Sequence, residues 1–332
     1  MSSLTLLYFT IAMTFVFTFL NGFHDSSNAI ATVISTRVLK PHQAVLWSAA
    51  FNFLAFFIFG LHVANTLGTG IVTPSIIDTL FILSALGGAI IWNIITWYFG
   101  IPSSSSHALI GGLIGAALIK SGYHALLWQG LFKTIIAIFL SPLLGMAGGI
   151  VLMFLISYLC FRASPSQMDH WFRRFQLLSS ALVSLGHGGN DAQKSMGIIA
   201  VLLFSEGVLS GPFHIPFWVV VGCYLTMAFG TFFGGYRIVK TMGMKITKLK
   251  PVGGCSAETA SAFTLFIATI LGIPVSTTHI IAGSIMGVGA FQRFSSVRWG
   301  VANQMVVAWV LTLPAVAFLS GLMEWLLLSL RH

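Results

Sequence analysis

Gly100 to His107 reads G-I-P-S-S-S-S-H, and Gly272 to His279 reads G-I-P-V-S-T-T-H. Five of the eight positions are identical, and two of the other three exchange Ser for Thr. Each copy runs into an apolar stretch bearing glycines, Gly111 to Gly115 in the first and Gly283 to Gly287 in the second. The interval between the copies is met again between Pro142 and Pro314. A spacing kept from the glycine to the distant proline marks an internal duplication, which has to be recognised before any single segment is read.

Composition places that duplication in lipid. The chain has 332 residues, 57% hydrophobic and 7% charged, with a mean hydropathy of +0.94. Soluble domains carry about 25% charged residues. Leu4–Leu20, Ala44–Leu61, Thr79–Phe99, Leu126–Leu140, Leu143–Cys160 and Phe217–Gly235 are apolar runs suited to membrane helices of about 20 residues. The first reads as a retained span, because no basic segment precedes it and it runs straight into polar residues. A net charge of +9 would suggest nucleic acid in a soluble protein. Here the Lys and Arg lie mostly between apolar segments, where they set topology, and no nucleic-acid partner follows. Cys160, Cys223 and Cys255 show no C-x-x-C spacing and read as packing residues, neither disulfides nor metal ligands.

Leu4–Leu20 is followed by N-G-F-H-D-S-S-N, Asn21 to Asn28, and Leu177–Val183 by S-L-G-H-G-G-N-D-A-Q-K-S, Ser184 to Ser195. Setting Asp25 on Asp191 also sets Gly22 on Gly188. Glycine and polar groups at membrane depth predict broken helices, tolerated only where the backbone is buried in protein or lines a wet cavity. Charge then fixes orientation. Arg37–His42 is basic while its counterpart, Ser205–Gly211, has Glu206 and no Lys or Arg; His62–Asp78 has none while its counterpart, Arg237–Lys250, has five. If basic loops stay cytoplasmic, the halves are inserted in opposite senses. This predicts an all-α polytopic membrane protein of two inverted-topology repeats, residues 1–161 and 176–332, joined by a cytoplasmic linker at 162–175. It has broken helices and about ten crossings, with re-entrant helical hairpins near Ile101–Lys120 and Ile273–Phe291. Secondary transporters built this way bind substrate at the repeat interface near mid-membrane.

Seven carboxylates exist in the chain. Asp78, Asp169, Glu206 and Glu324 fall in loops or near ends and read as solvated charges. Asp25, Asp191 and Glu258 fall in or beside apolar segments, where a charge costs about 2.5–3.5 kcal/mol at the bilayer centre and marks function. Ser104, Ser105 and Ser106, with Ser276, Thr277 and Thr278, follow prolines and suit helix starts. The plain role of one copy is capping. Two copies from opposed halves can aim two helix N-termini, each with partial positive charge, at one anion. Carboxylates beside an anion require a positive partner, which is the logic of symport, and the coupling is reciprocal. Asn28 and Asn190 offer donor and acceptor on one amide. Lys194 stands where Asn28 stands in the first copy and can meet the anion or neutralise Asp191. His24, His107, His187 and His279 lie in the same stretches, either bonding the loops or relaying protons. No metal-site spacing accompanies them.

N-G-F-H-D-S-S-N-A, G-H-G-G-N-D-A-Q-K-S-M-G and the paired G-I-P-x-S-x-x-H stretches resemble the inorganic phosphate transporter family, PiT, in its short bacterial form. The resemblance covers nearly the whole chain. It implies uptake of inorganic phosphate with a co-transported proton or sodium and no enzyme cofactor. It also implies multi-pass insertion in the bacterial cytoplasmic membrane, termini outside, and a homodimer. It places Asp25, Asn28, Asn190, Asp191, Ser104–Ser106 and Ser276–Thr278 around phosphate and coupling ions. His24 and Gln193-Lys194 depart from the sodium-coupled pattern. A fixed ammonium repels sodium, so the departure favours proton coupling, with phosphate carried free or as a neutral metal complex. Carriage of a divalent metal alone, or of sulfate, is the alternative. An intramembrane hydrolase is disfavoured, because no nucleophile-elbow or metalloprotease pattern is present.

Overall fold

The computed structural model describes residues 3–331. They form twelve α-helices: α1 (Ser3–Ser35), α2 (Pro41–Leu54), α3 (His62–Gly70), α4 (Thr79–Phe99), α5 (Ser105–Ser121), α6 (Trp128–Leu159), α7 (Pro165–Ser205), α8 (Phe217–Phe233), α9 (Tyr236–Lys240), α10 (Pro251–Ile270), α11 (Thr277–Gln292) and α12 (Trp299–Arg331). Short 3-10 and π segments link some of them. Four helices, α1, α4, α6 and α12, are each long and apolar enough to cross a membrane. Two bent pairs meet the same test together, α2 with α3 at 82° and α8 with α9 at 61°. The outward faces are apolar, with Leu159, Phe217, Phe318 and Phe99 largely exposed, as lipid contact requires.

The duplication is visible as packing. α11 lies against α6 as α5 lies against α12; α1 packs on α8 as α7 packs on α2; α10 meets α7 as α4 meets α1. Local chemistry sets the ends of these helices. Asp78 caps α4, its side chain accepting from the Phe81 N–H at 2.9 Å, and Gly100 closes it with φ +66°. Gly272 repeats that turn after α10, at φ +68°. Left-handed φ is cheap only for glycine, which is why both copies of the organising stretch begin with one. The following residues run extended into α5 and α11.

The structure corrects two expectations. The polar stretches Asn21–Asn28 and Ser184–Ser195 are not breaks: they lie inside α1 and α7, which run through them without interruption. Their glycines serve close approach. A Cβ on Gly22 would sit 2.2 Å from the Met227 carbonyl oxygen, and one on Gly188 would sit 2.4 Å from that of Asn52. Small residues at such crossings let membrane helices pack backbone to backbone. The breaks fall instead at Ile58–Leu61, at Gly234–Gly235 and at the two Gly-Ile-Pro turns. In the 162–175 segment the residues from Pro165 on form the largely exposed first turns of α7. Ser164 and Gln167 cap that start reciprocally, a recognisable helix-start signature.

The second correction concerns Glu324. It is not a solvated end charge but buried in α12, facing Ser84. Glu206 accepts from the Thr79 N–H at 3.0 Å and so ties the end of α7 to the start of α4. Asp78 pairs with Lys120 at 2.6 Å. Asp169 does stay exposed, paired with Arg173. The three cysteines are free, Cys223 and Cys255 buried.

Candidate functional site

α1 and α7 bring their aspartates to the N-termini of α5 and α11. Asp25 is 1% exposed and Asp191 is fully buried. Oxygens of both, with a ring nitrogen of His187, lie within 4.8 Å of one another. The α11 start spans the two acids. Thr277 Oγ1 donates to Asp191 Oδ2 at 3.0 Å, and Thr278 Oγ1 to Asp25 Oδ1 at 3.3 Å. From the α5 side, Ser105 Oγ bonds Asp25 Oδ2 at 2.6 Å and lies 3.0 Å from Asn21 Oδ1. Asn28 Nδ2 donates to Thr277 and Thr278 Oγ1 at 3.2 and 3.0 Å.

Lys194, 2% exposed, reaches across this junction. Its Nζ bonds Asp191 Oδ1, Ser106 Oγ and, at 2.9 Å, the Val275 carbonyl in the extended lead-in to α11. Ser106 Oγ also donates to that carbonyl at 3.1 Å. Ser104 and Ser276 act as N-caps, their hydroxyls accepting from the N–H of His107 and His279. Asn190 stands back from the acids, its Nδ2 bonded to Thr269 Oγ1 at 3.1 Å and to the Ile273 carbonyl at 3.2 Å.

The histidines separate into two pairs. His24 Nδ1 is 2.9 Å from Asp25 Oδ1, its other nitrogen 3.2 Å from Thr96 Oγ1. His187 Nε2 is 3.2 Å from Asp191 Oδ2, its Nδ1 3.1 Å from Asn52 Oδ1. His107 and His279 meet each other, edge to face at 4.4 Å, and His279 leans on Trp309 at 4.0 Å. Neither of these two bonds an aspartate.

Glu258 lies apart from the paired acids. It is fully buried on α10 and accepts from Thr32 Oγ1 and Ser179 Oγ at 2.5 Å each and from Gln176 Nε2 at 3.0 Å. Thr32 is one turn beyond Asn28 on α1, and Thr36 in turn donates to Gln176 Oε1 at 2.9 Å. Sequence reading found the acid and missed this shell. Thr32, Gln176 and Ser179 look ordinary one at a time, and only the crossing of α1, α7 and α10 brings them together. Asn52 and Asn21 were missed too, although an amide inside an apolar segment is a signal in its own right.

Every group named around the two aspartates is buried, so the acids are closed from solvent. Meeting helix N-termini, paired acids and a lysine lie closed inside a helical bundle with apolar outer faces, the arrangement of a polytopic membrane transporter. Known proteins agree. The sequence profile of the Phosphate transporter family matches residues 21–320. The chain is 60% identical over 312 residues to the "Probable low-affinity inorganic phosphate transporter" of Rhizobium meliloti (strain 1021), covering 94% of this chain and 93% of that protein. It is 44% identical over 313 residues to the protein of the same description from Bacillus subtilis (strain 168), covering 94% of each. The solved structure of "The sodium-dependent phosphate transporter" superposes with a TM-score of 0.90 at 27% identity, over 98% of this chain and 99% of that one. The chain belongs to the phosphate transporter family.

Proposed function

We propose that this protein imports inorganic phosphate across the bacterial cytoplasmic membrane, driven by a co-transported cation. The observation that supports this most directly is the meeting of Asp25 and Asp191 at the N-termini of α5 and α11. Helix N-termini present free N–H groups and partial positive charge to an anion. The acids beside them repel that anion unless a cation lies between. Binding of each therefore favours the other. The closed geometry suits alternating access, in which residues 1–161 and 176–332 act as opposed repeats about the site.

In this reading Ser105, Thr277 and Thr278 turn their hydroxyls from the aspartates, and Ser106 from the Val275 carbonyl, to phosphate oxygens as substrate enters. Asn28 and Asn190 flank it, and Ser104 and Ser276 hold the helix starts. Asp25 and Asp191 supply the negative charge that the coupling cation answers, with Glu258 a further acid on the way to the cytoplasm. His24 and His187, which touch the aspartates, are placed to pass protons, and proton coupling is the reading they favour. A homodimer in the membrane completes the proposal. Uptake of labelled phosphate into proteoliposomes, with a pH gradient or a sodium gradient imposed separately, is the test. Uptake driven by neither gradient overturns the function; strict sodium dependence without response to pH overturns the choice of proton.

One observation favours a second form of the substrate. Asp25, His187 and Asp191 offer three ligand atoms close enough for one divalent ion, of the oxygen and imidazole types such ions take. Phosphate would then enter as a neutral metal complex. Metal uptake that requires phosphate supports this form, and metal uptake without phosphate supports a metal carrier instead.

A further inference from the structure

The two halves of the site share their acid and differ in the residues around it, and one of those differences changes the fixed charge. Asp25 and Asn28 on α1 occupy the same places as Asp191 and Lys194 on α7, each pair three residues apart and so on one helix face. Asn28 is neutral. Its amide donates to Thr277 and Thr278, and its Oδ1 is buried without a partner. Lys194 carries a fixed positive charge instead.

The surroundings of Lys194 Nζ are those of a bound metal cation. An ammonium has three donors and no acceptor. Here its three contacts are a carboxylate (Asp191 Oδ1), a hydroxyl (Ser106 Oγ) and a main-chain carbonyl (Val275 O). Carboxylate, hydroxyl and carbonyl oxygens are the ligands that hard cations select. The carbonyl belongs to the non-helical Ile273–Ser276 lead-in, and such unwound segments supply cation ligands in broken-helix transporters. The Asp25 side offers Asp25 with Ser105 Oγ and Thr278 Oγ1, and Asn28 on the same face keeps its Oδ1 unbonded; the basic neighbour there is the His24 imidazole and not an ammonium.

The geometry points to Lys194 as a tethered co-ion. Its ammonium takes the place of one mobile coupling cation on the Asp191 side. Each transport cycle therefore draws on one free cation, held on the Asp25 side. A second mobile cation at Asp191 would meet the ammonium at contact distance, where like charges repel strongly in a low-dielectric site. Lys194 is thus a residue that sets coupling stoichiometry, and this rests on the phosphate-symport reading.

The test uses the full-length protein in proteoliposomes, with labelled inorganic phosphate as probe. The readout is the slope of uptake against concentration of the driving cation. The wild type should show a slope of about one, and Lys194→Asn, which recreates the Asp25–Asn28 arrangement, should move toward two. Uptake by that variant should fall about tenfold at a low concentration of the driving cation and recover when that cation is raised. Lys194→Met removes the charge and offers no oxygen, so raising the cation should not restore it. An unchanged slope in Lys194→Asn, or equal rescue of the Asn and Met variants, overturns the inference. The wild-type slope needs no variant to fold, and a value of two overturns the inference by itself. A wild type that moves no phosphate under any gradient overturns the functional reading instead, so the two failures are distinct.

Discussion

His107 and His279 occupy the same place in the two repeats and touch each other. His24 and His187 occupy different places, one adjoining its aspartate and one a helical turn before it, and yet each touches its aspartate. The contrast separates two kinds of residue. What the duplication preserved, the turn glycines, the capping serines and the facing imidazoles, sets where the helices start and meet. What diverged afterwards, His24 against Asn190, Asn21 against His187 and Asn28 against Lys194, lies within one helical turn of each acid along the chain. The symmetric parts build the frame, and the asymmetric parts adjust its chemistry.

That contrast can be broken at several strengths. Asp25→Asn and Asp191→Asn should each reduce coupled phosphate uptake at least about a hundredfold with insertion intact, since each removes a buried charge on which three or more groups converge. Near-normal uptake by either variant would remove that half from the mechanism. His24→Ala and His187→Ala should each lower uptake by about thirtyfold, the scale of one hydrogen bond to a charged group. The pH profile should move in both, and a profile identical to wild type would reduce these histidines to packing. Ser105→Ala and Thr277→Ala should raise the apparent KM for phosphate about tenfold; unchanged kinetics in both would leave them helix caps alone. The smallest effect belongs to the preserved pair. His107→Phe should keep uptake within about twofold while lowering the thermal midpoint by about 2–4 °C, the shift that roughly 1 kcal/mol gives in a large domain. A large transport defect there would show that the facing imidazoles carry protons after all.

Much of this was readable from residues alone. The paired G-I-P stretches predicted the two helix starts that meet at the centre, and the scarcity of carboxylates singled out Asp25 and Asp191. Two physical ambiguities limited the rest. Glycine in a membrane segment signals either a break or a tight crossing, and only the neighbouring helix decides. At Gly22 and Gly188 the neighbours are the Met227 and Asn52 carbonyls, so α1 and α7 stay whole. An acid near a chain end signals either solvent or a tertiary pocket, and Glu324 went the second way. The Glu258 pocket was legible only as one acid. Its repeat counterpart by position is Leu86, which shares an apolar cluster with Ile198, the counterpart of Thr32. A polar cluster in one half thus answers a greasy seal in the other, a difference no single segment displays.

The unbroken course of α7 has a mechanical consequence. At 41 residues it is roughly 60 Å long, about twice the hydrocarbon thickness of a bilayer. If α7 tilts as one body at Asp191, its exposed Asp169–Arg173 end swings through an arc. A spectroscopic label near Asp169 would act as the pointer of a gauge whose short arm lies at Asp191.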